Sequence, residues 1–344
     1  MISTRGWFYF VPAKGEPEKI LHAIEPGALD HLPGRSFFYS SQKELSACLR
    51  RFSAHKIAVQ ISKDLAIISY LDYGMAQNLQ DAGIKLVSSA TLVQRLESLF
   101  DERMKASHEA AADHLYAIVE SVWERIRKEF PGRQISEGEV QGWILDEFSK
   151  RGLETDHPPI VSAGAHSGDP HYAPEAGGAQ LKEGDVLQFD LWAKHPGGVF
   201  ADISWVGVLA GEAPEDVKEV FSAVVSARDG CIDFINSRLA KGIQVEGREA
   251  DIHTRSIIEK LGYGRYLKHR TGHSIDTECH GSGVNLDSVE FPDSRKLLEG
   301  SCFSVEPGIY LDTFGMRTEI DAYIQDGKAV VSGRTPQSSI LTLS

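Results

Sequence analysis

Acidic residues that could bind a metal ion occur in pairs, and the first pair lies in a predicted β-hairpin. The segments 185–193 and 199–206 are rich in β-branched and aromatic residues and flank a turn centred on Pro196. Asp190 and Asp202 are each six residues from Pro196. Residues at equal distances from a hairpin turn face each other, so we expect these carboxylates to lie directly opposite one another. Such a pair among apolar side chains is unfavourable unless a cation or a shared proton compensates it.

A second predicted hairpin, near the carboxyl end of the chain, repeats this arrangement. Glu306 and Glu319 mirror each other about a turn near residues 312–313. Four converging carboxylates need a compensating cation, and one divalent ion, or two bridged by carboxylates, would supply it. The alternative is that each acid is an ordinary solvated strand residue, which suits a single aspartate better than two mirrored pairs.

Histidines that could complete a metal site are concentrated in two segments. His269, His273 and His280 occur within twelve residues, and His171 lies upstream in the sequence Asp-Pro-His-Tyr. An isolated histidine is usually a hydrogen-bonded structural residue, whereas three of them accompanying four acids indicate metal binding or catalysis.

The elements that must position these residues form a repeated pattern. Helices are predicted near 104–130 and 136–150, and helices near 214–239 and 246–262 follow at an offset of 109 to 110 residues. Each pair of helices precedes one of the acidic hairpins. Two similar α,α,β units in tandem predict a pseudo-twofold domain with a site between its halves.

The first hundred residues have a different organisation. Short apolar segments alternate with amphipathic ones, which predicts a small α/β domain. Nothing in this stretch gathers histidines and carboxylates as a catalytic site would. The predicted strands are 7–11, 36–39, 56–60 and 85–88, and the predicted helices are 42–52 and 91–100.

Composition excludes several classes of function. Of the 344 residues, 42% are apolar and 25% are charged, and the formal net charge is −13. An acidic chain without a basic block is a poor nucleic-acid binder. No apolar run reaches the roughly 20 residues that span a bilayer. The cysteines are scattered and are expected to be reduced thiols of a cytoplasmic protein; they are Cys48, Cys231, Cys279 and Cys302.

At these acids and histidines the sequence resembles the pita-bread metallopeptidases, the family of methionine aminopeptidase, aminopeptidase P, prolidase and creatinase. The resemblance covers about residues 105–330 and includes the motifs Phe-Asp-Leu-Trp, Thr-Gly-His-Ser-Ile, Ser-Val-Glu-Pro-Gly-Ile-Tyr and Arg-Thr-Glu-Ile-Asp. It implies an α+β fold, with a pseudo-twofold pita-bread catalytic domain at 104–344 and a small, shortened N-terminal α/β domain at 1–103. It also implies five metal ligands, which are Asp190, Asp202, His273, Glu306 and Glu319.

The resemblance assigns catalytic roles to three further matches. Glu306 is expected to carry a proton to the leaving nitrogen. His280 and His171 are expected to line the substrate pocket, where they bind the carbonyl oxygen of the scissile peptide.

Other matches surround the site in the proline-specific members. His269 and Tyr310 are expected near the substrate, and His269 and Arg317 are also expected to take part in catalysis. Arg317 has two interpretations: it orients the metal carboxylates, or it binds a carboxylate of the substrate. Its position two residues before Glu319 favours the first, because residues two apart on a strand share a face.

Two residues depart from the family pattern or carry no assigned role. Asp276 replaces a glycine near the site, and the resemblance gives it no function. Cys279 precedes His280, and we expect it to be a packing residue. The two hairpin aspartates are 12 residues apart instead of the usual 11, which predicts a first turn longer by one residue.

The activity implied by the resemblance is hydrolysis of Xaa-Pro peptide bonds in short peptides, as in aminopeptidase P or prolidase. Two divalent ions would serve it, with Mn²⁺ favoured and Co²⁺ or Zn²⁺ as alternatives. A homodimer is also expected. Two rival functions are a non-peptidase metalloenzyme on the same fold, either a C–N hydrolase or a lyase, and a non-catalytic peptide-binding module. Retention of all five ligands favours the peptidase.

Overall fold

The computed structural model describes residues 4–174 and 177–344 and divides the chain into two compact units. These are Met1–Ala90 and Thr91–Ser344, so the boundary lies earlier than the one predicted after residue 103. The connecting segment belongs to the second unit because it is hydrogen-bonded there. The Gln94 side-chain amide donates to the Lys296 carbonyl at 2.8 Å, for example.

The first unit has the predicted alternation of strands and helices. Strand β2 pairs antiparallel with β1 and parallel with β3, while β4 and β5 form a separate parallel pair. Strand β2 was not predicted, because the charged Lys19 interrupts its apolar pattern. In the structure Lys19 is nevertheless buried, and it donates to the carbonyl oxygens of Leu29 and Leu32. The elements are β1 (Phe8–Phe10), β2 (Glu18–His22), β3 (Arg35–Tyr39), α1 (Gln42–Leu49), β4 (Lys56–Val59), α2 (Tyr73–Asp81) and β5 (Lys85–Ser88).

Two of the long helices of the second unit begin at capping residues that the sequence supplies. Asp101 accepts a hydrogen bond from the Met104 amide, and Ser136 accepts one from the Glu139 amide. Such caps satisfy amides that lack partners in the first helical turn.

Among the described residues, none of the helices combines the length and the apolar character that a membrane span requires. The helices are α3 (Ala90–Val93), α4 (Glu102–Glu129), α5 (Glu137–Arg151), α6 (Glu215–Leu239) and α7 (Gly247–Lys260).

Each pair of long helices precedes antiparallel strands, which confirms the predicted repeat. Strands β6, β7 and β8 form one sheet, and β13, β12 and β9 form another, with β10 and β11 paired beside it. The strands are β6 (Ile160–Ala163), β7 (Val186–Ala193), β8 (Ala201–Val208), β9 (Cys302–Val305), β10 (Gly308–Tyr310), β11 (Gly315–Arg317), β12 (Ile320–Gln325) and β13 (Lys328–Val331).

The register of the β7–β8 hairpin differs from the predicted one. Asp190 pairs with Ser204, and Asp202 pairs with Trp192, so the prediction that the two aspartates face each other directly is wrong. The ladder is symmetric about Gly197, which has a φ of 71°, and not about Pro196. Glycine adopts this left-handed conformation without a side-chain clash. The aspartates therefore share a face as diagonal neighbours, still within reach of a common ion.

The second acidic hairpin keeps the predicted register but is interrupted at its acids. Val305 pairs with Ile320 and Gly308 pairs with Arg317, which leaves Glu306 and Glu319 opposite each other between the two ladders. Pro307 has no amide hydrogen, so the pairing cannot run unbroken through this point. The freed Glu306 amide donates to the Thr271 carbonyl at 2.7 Å, and the Glu319 amide donates to the Ser204 carbonyl at 3.1 Å.

Apolar packing holds both hairpins against the long helices. One buried cluster joins α4 and α5 to β7 and β8, with Trp123 and Phe189 in edge contact. A second joins α6 to β8, β10 and β11, and a third joins α6 and α7 to β9 and β12. The strands that bear the acids thus have one face in an apolar core.

Replacing Gly207 with alanine should destabilise this core. A β-carbon at Gly207 would lie 2.2 Å from the Trp123 ring, and that ring is fixed by a hydrogen bond from its indole nitrogen to the Thr342 carbonyl. Overpacking of this kind costs about 1–3 kcal/mol of unfolding free energy. Thermal or urea denaturation of G207A measures it. The matched control is G211A, because nothing lies within 4 Å of a β-carbon there. Equal stabilities of the two variants would contradict the packing argument.

Candidate metal centre

Acids from the two hairpins meet in one buried cluster. Carboxylate oxygens of Asp190, Asp202 and Glu319 lie within 4.8 Å of one another. A second group within the same limit consists of a His273 nitrogen and carboxylate oxygens of Glu306 and Glu319. Glu319 belongs to both groups and joins them. The structure therefore brings together all five residues predicted as metal ligands.

His273 enters the cluster from the segment that follows α7. Its Nε2 atom lies 3.6 Å from Asp202 Oδ2 and 3.5 Å from Glu306 Oε1. Its backbone is held against β9, where the His273 amide donates to Ser304 Oγ and the Ser304 amide donates to the His273 carbonyl. The preceding Gly272 permits this approach, because a β-carbon there would lie 2.0 Å from the Ser304 carbonyl oxygen.

Burial and mutual repulsion make three of these carboxylates, those of Asp202, Glu306 and Glu319, hard to ionise without a cation. Burial raises the pKa of Asp202 well above its usual value, and the negative charge of Asp190 adds to this effect. Burial and the Asp202 charge do the same to the pKa of Glu319. Burial also raises the pKa of Glu306 to about 7, against the opposing effect of Arg317. The charges of Arg317 and Arg270, which both oppose the raised pKa of Glu306, do not compensate four acids.

Two oxygen atoms in the cluster show where a ligand is needed. Asp202 Oδ1 and Glu319 Oε1 are buried, and neither has a hydrogen-bond partner within the described part of the chain. Buried polar atoms without partners are rare and costly. Divalent cations bind carboxylate oxygens together with imidazole nitrogen, so the residues present fit such ions.

Arg317 holds the acids of both halves and does not reach toward solvent. Its guanidinium hydrogen-bonds to Asp190, to Ser204 Oγ at 3.1 Å and to the Tyr310 hydroxyl at 3.0 Å, and its Nε lies 3.8 Å from Glu306. Each of its three nitrogens thus has an acceptor, and the residue is 4% exposed. This geometry agrees with Arg317 as a clamp on the carboxylates.

His269 lies behind this clamp. Its Nδ1 is 2.6 Å from the Arg270 carbonyl oxygen, so Nδ1 carries the proton and Nε2 accepts from the Tyr310 hydroxyl at 2.7 Å. Burial lowers the pKa of His269 to about 3, which keeps the ring neutral. Both ring nitrogens are therefore occupied, and contact of His269 with a substrate stays a prediction.

The two remaining histidines lie at the exposed side of the cluster. The His280 ring centre is 4.2 Å from that of His273. His171 is exposed, and its charge is close enough to contribute to the lowered pKa of His269. The structure thus places His280 beside the ligand His273, and His171 near His269. Their predicted contact with a peptide carbonyl stays a prediction.

Sequence reasoning missed two polar residues that support the ligands. Ser204 Oγ lies 3.0 Å from Asp190 Oδ1 and 2.8 Å from Glu319 Oε2. Asp321 Oδ2 accepts the Asp202 amide at 2.7 Å. Each lies two residues after a ligand, so the alternation of strand faces was the available signal.

Two other residues of the His273 loop differ in their relation to the cluster. Asp276 accepts the amides of Glu278 and Ser282, both at 3.0 Å, so it caps a turn and does not join the acids. Cys279 does contact the cluster, because its Sγ lies 3.2 Å from Asp202 Oδ2.

Comparison with known proteins matches most of the second unit to one family. The model of metallopeptidase family M24 matches residues 102–326. An Xaa-Pro dipeptidase from Lactobacillus delbrueckii subsp. lactis is 33% identical over 174 residues, which are 50% of this chain and 44% of the relative. The putative dipeptidase YkvY of Bacillus subtilis is 31% identical over 209 residues, which are 60% of this chain and 54% of the relative. The matched part spans about half the length of these relatives.

Solved structures share the fold. Dipeptidase PepE from Mycobacterium ulcerans aligns with a TM-score of 0.71 at 21% identity, covering 97% of this chain and 86% of that chain. A recombinant prolidase from Thermococcus sibiricus aligns with a TM-score of 0.64 at 24% identity, and the alignment covers 98% of this chain and 88% of the prolidase chain. These alignments confirm the pita-bread architecture.

Replacing Asp202 with asparagine should separate ion binding from folding. The variant loses a buried negative charge that repels the other carboxylates, so without ions it should be at least as stable as the wild type. Its stabilisation by added ions should largely disappear. An ion present at 100 times its Kd stabilises a protein by about 2.7 kcal/mol. Thermal unfolding with EDTA or with MnCl₂ measures both effects. The control is D146N, which changes an exposed aspartate on α5. Undiminished ion stabilisation in D202N would contradict the metal centre.

Glu306 gives the ion-free protein a distinctive pH dependence. Its folded pKa of about 7 exceeds the ordinary value of 4.5. The folded state then binds more protons than the unfolded state between these values, so its contribution to stability falls as pH rises through that window. E306Q is permanently neutral and should escape this loss. In EDTA, the Tm advantage of E306Q over the wild type should therefore grow from pH 5 to pH 8. A constant or shrinking difference would contradict a raised pKa.

Proposed function

The chain belongs to metallopeptidase family M24, and on that premise we propose that it is a two-metal exopeptidase that hydrolyses Xaa-Pro peptide bonds. The observation that carries the proposal is the shared position of Glu319 in two adjacent groups of potential ligands, one with Asp190 and Asp202 and one with His273 and Glu306. The similarity to a dipeptidase named for Xaa-Pro substrates supports the choice of bond.

Two divalent ions would be held by these five residues. Asp190, Asp202 and Glu319 would serve both ions, and His273 and Glu306 would complete one of them. Oxygen-rich ligation favours Mn²⁺, with Co²⁺ or Zn²⁺ as alternatives. When bound, such ions lower the pKa of water and polarise a carbonyl group.

The side chains around the ligands would handle the substrate and its proton. Glu306 has the most exposed carboxylate of the four, at 13%, and it would take a proton from the attacking water and pass it to the leaving nitrogen. His280 and His171, on the exposed side, would hydrogen-bond the carbonyl oxygen as negative charge develops there. Tyr310, held by His269 and Arg317, would line the pocket.

The rival functions receive no support from the described geometry. Asp276 is the residue that could mark a lyase, and its carboxylate caps a turn of its own loop. Retention of all five metal ligands argues against a creatinase-like C–N hydrolase. A non-catalytic binding module would not need a complete ligand set with buried, unpartnered oxygens. A homodimer and a cytoplasmic location stay predictions, the first of which light scattering would test.

The activity is tested with the full chain loaded with Mn²⁺ and a panel of Ala-Pro, Gly-Pro, a longer Xaa-Pro peptide and a Met-Ala peptide. We expect cleavage only before proline, reduced to background in the D202A/E319A double variant and retained in D146N. Cleavage of the dipeptides alone would identify a dipeptidase, and cleavage of the longer peptide an aminopeptidase. The proposal would be contradicted by protein that binds about two ions per chain and cleaves none of the four peptides.

A further inference from the structure

One buried side chain at the metal centre is not among its five proposed ligands. The Cys279 thiol lies 3.2 Å from Asp202 Oδ2 and is on the side of that carboxylate where His273 Nε2 approaches to 3.6 Å. Cys279 is 6% exposed, so water does not compete freely for its sulfur. Its Sγ atom, an Asp202 oxygen and a His273 nitrogen all lie within 4.8 Å of one another.

Asp202, the carboxylate that the thiol contacts through Oδ2, also has an oxygen that lacks a partner in the described chain. Asp202 is 4% exposed, yet its Oδ1 atom has no hydrogen-bond partner among the residues that the structure describes. Glu319 is 2% exposed, and its Oε1 atom is in the same situation. Asp202 therefore lies between two groups of donors: an all-oxygen group with Asp190 and Glu319, and a group of oxygen, nitrogen and sulfur with His273 and Cys279.

The loop that carries Cys279 is held in place by its own hydrogen bonds. The Gly281 amide donates to the Ser274 carbonyl at 2.7 Å, and the Asp276 amide donates to the Glu278 carbonyl at 3.1 Å. The Phe200 amide, next to β8, donates to the Asp276 carbonyl at 3.0 Å. These bonds fix the backbone around the thiol, and a fixed position is what a metal ligand needs.

We propose that Cys279 is a sixth metal ligand, on the His273 side of the centre, and that it makes this position selective for a thiophilic divalent ion such as Zn²⁺ or Co²⁺. The inference rests on the two-metal centre proposed above. On binding, the S–H bond breaks, the proton leaves to solvent, and the sulfur electron pair forms the bond to the ion. No electron is transferred. The Asp190 side keeps only oxygen donors and suits a harder ion such as Mn²⁺.

Cobalt substitution tests the ligand directly in the full chain. A thiolate bound to Co²⁺ gives a near-ultraviolet charge-transfer band, whereas carboxylate and imidazole ligands give only weak visible bands. We expect the charge-transfer band in the wild type and its loss in C279S, with the visible bands retained. The matched control is C302S, because Cys302 shares the apolar cluster of Cys279 but its Sγ lies 3.9 Å from His108 Nε2, outside the ligand groups. C302S should keep the charge-transfer band.

A second measurement addresses selectivity. Competition calorimetry with Zn²⁺ and Mn²⁺ should show that the Zn²⁺-over-Mn²⁺ affinity ratio falls about tenfold or more in C279S, as expected for loss of a metal-site residue. Wild-type protein that binds cobalt without a charge-transfer band would overturn the inference, and so would an unchanged affinity ratio. Protein that binds no cobalt would overturn the metal centre as well. A charge-transfer band in protein that hydrolyses no peptide would support the ligand and contradict the peptidase.

Discussion

The requirement to compensate four buried carboxylates determines much of the structure around the site. Asp190, Asp202 and Glu319 crowd their oxygens within 4.8 Å, a distance at which like charges in a low-dielectric interior repel strongly. Burial, and after it repulsion between the carboxylates, raises the pKa values of Asp202 and Glu319. The surrounding polar groups relieve this only in part, since two of the oxygens keep no partner within the described residues. Bound divalent ions would therefore supply the positive charge and the partners that these carboxylates lack.

The two halves of the repeat stabilise each other's ligands through the backbone. The Glu319 amide of the second half donates to the Ser204 carbonyl of the first, and the Asp202 amide of the first donates to Asp321 of the second. A ligand displaced in one half would break a hydrogen bond to the other. The interruption at Pro307 makes the first of these bonds possible, because the Glu319 amide lies in the gap between the two ladders. The pseudo-twofold arrangement thus has a direct energetic consequence at the centre.

Sequence reasoning recovered the features that follow from residue type and local pattern. The long helices, the two acidic hairpins and the residues that converge are all of this kind. It failed where a long-range contact decided the outcome. The register of β7 and β8 depends on which residue of the loop takes a left-handed conformation, and Gly197, not Pro196, is the centre. The Cys279 contact with Asp202 joins residues 77 positions apart, so no local pattern could indicate it.

Arg317 illustrates how a charge balance decides between two roles that sequence alone leaves open. A guanidinium near a peptidase site could bind a carboxylate of the substrate or neutralise the carboxylates of the protein. Here each of its nitrogens has an acceptor in the protein, and the residue is almost fully buried. Turning it outward would leave Asp190 and Glu306 without their nearest cation, and the cost of such an unpaired buried charge is several kcal/mol, about 3–5 in measured cases. In the proposed peptidase, Arg317 would therefore not be available to bind a carboxylate of the substrate.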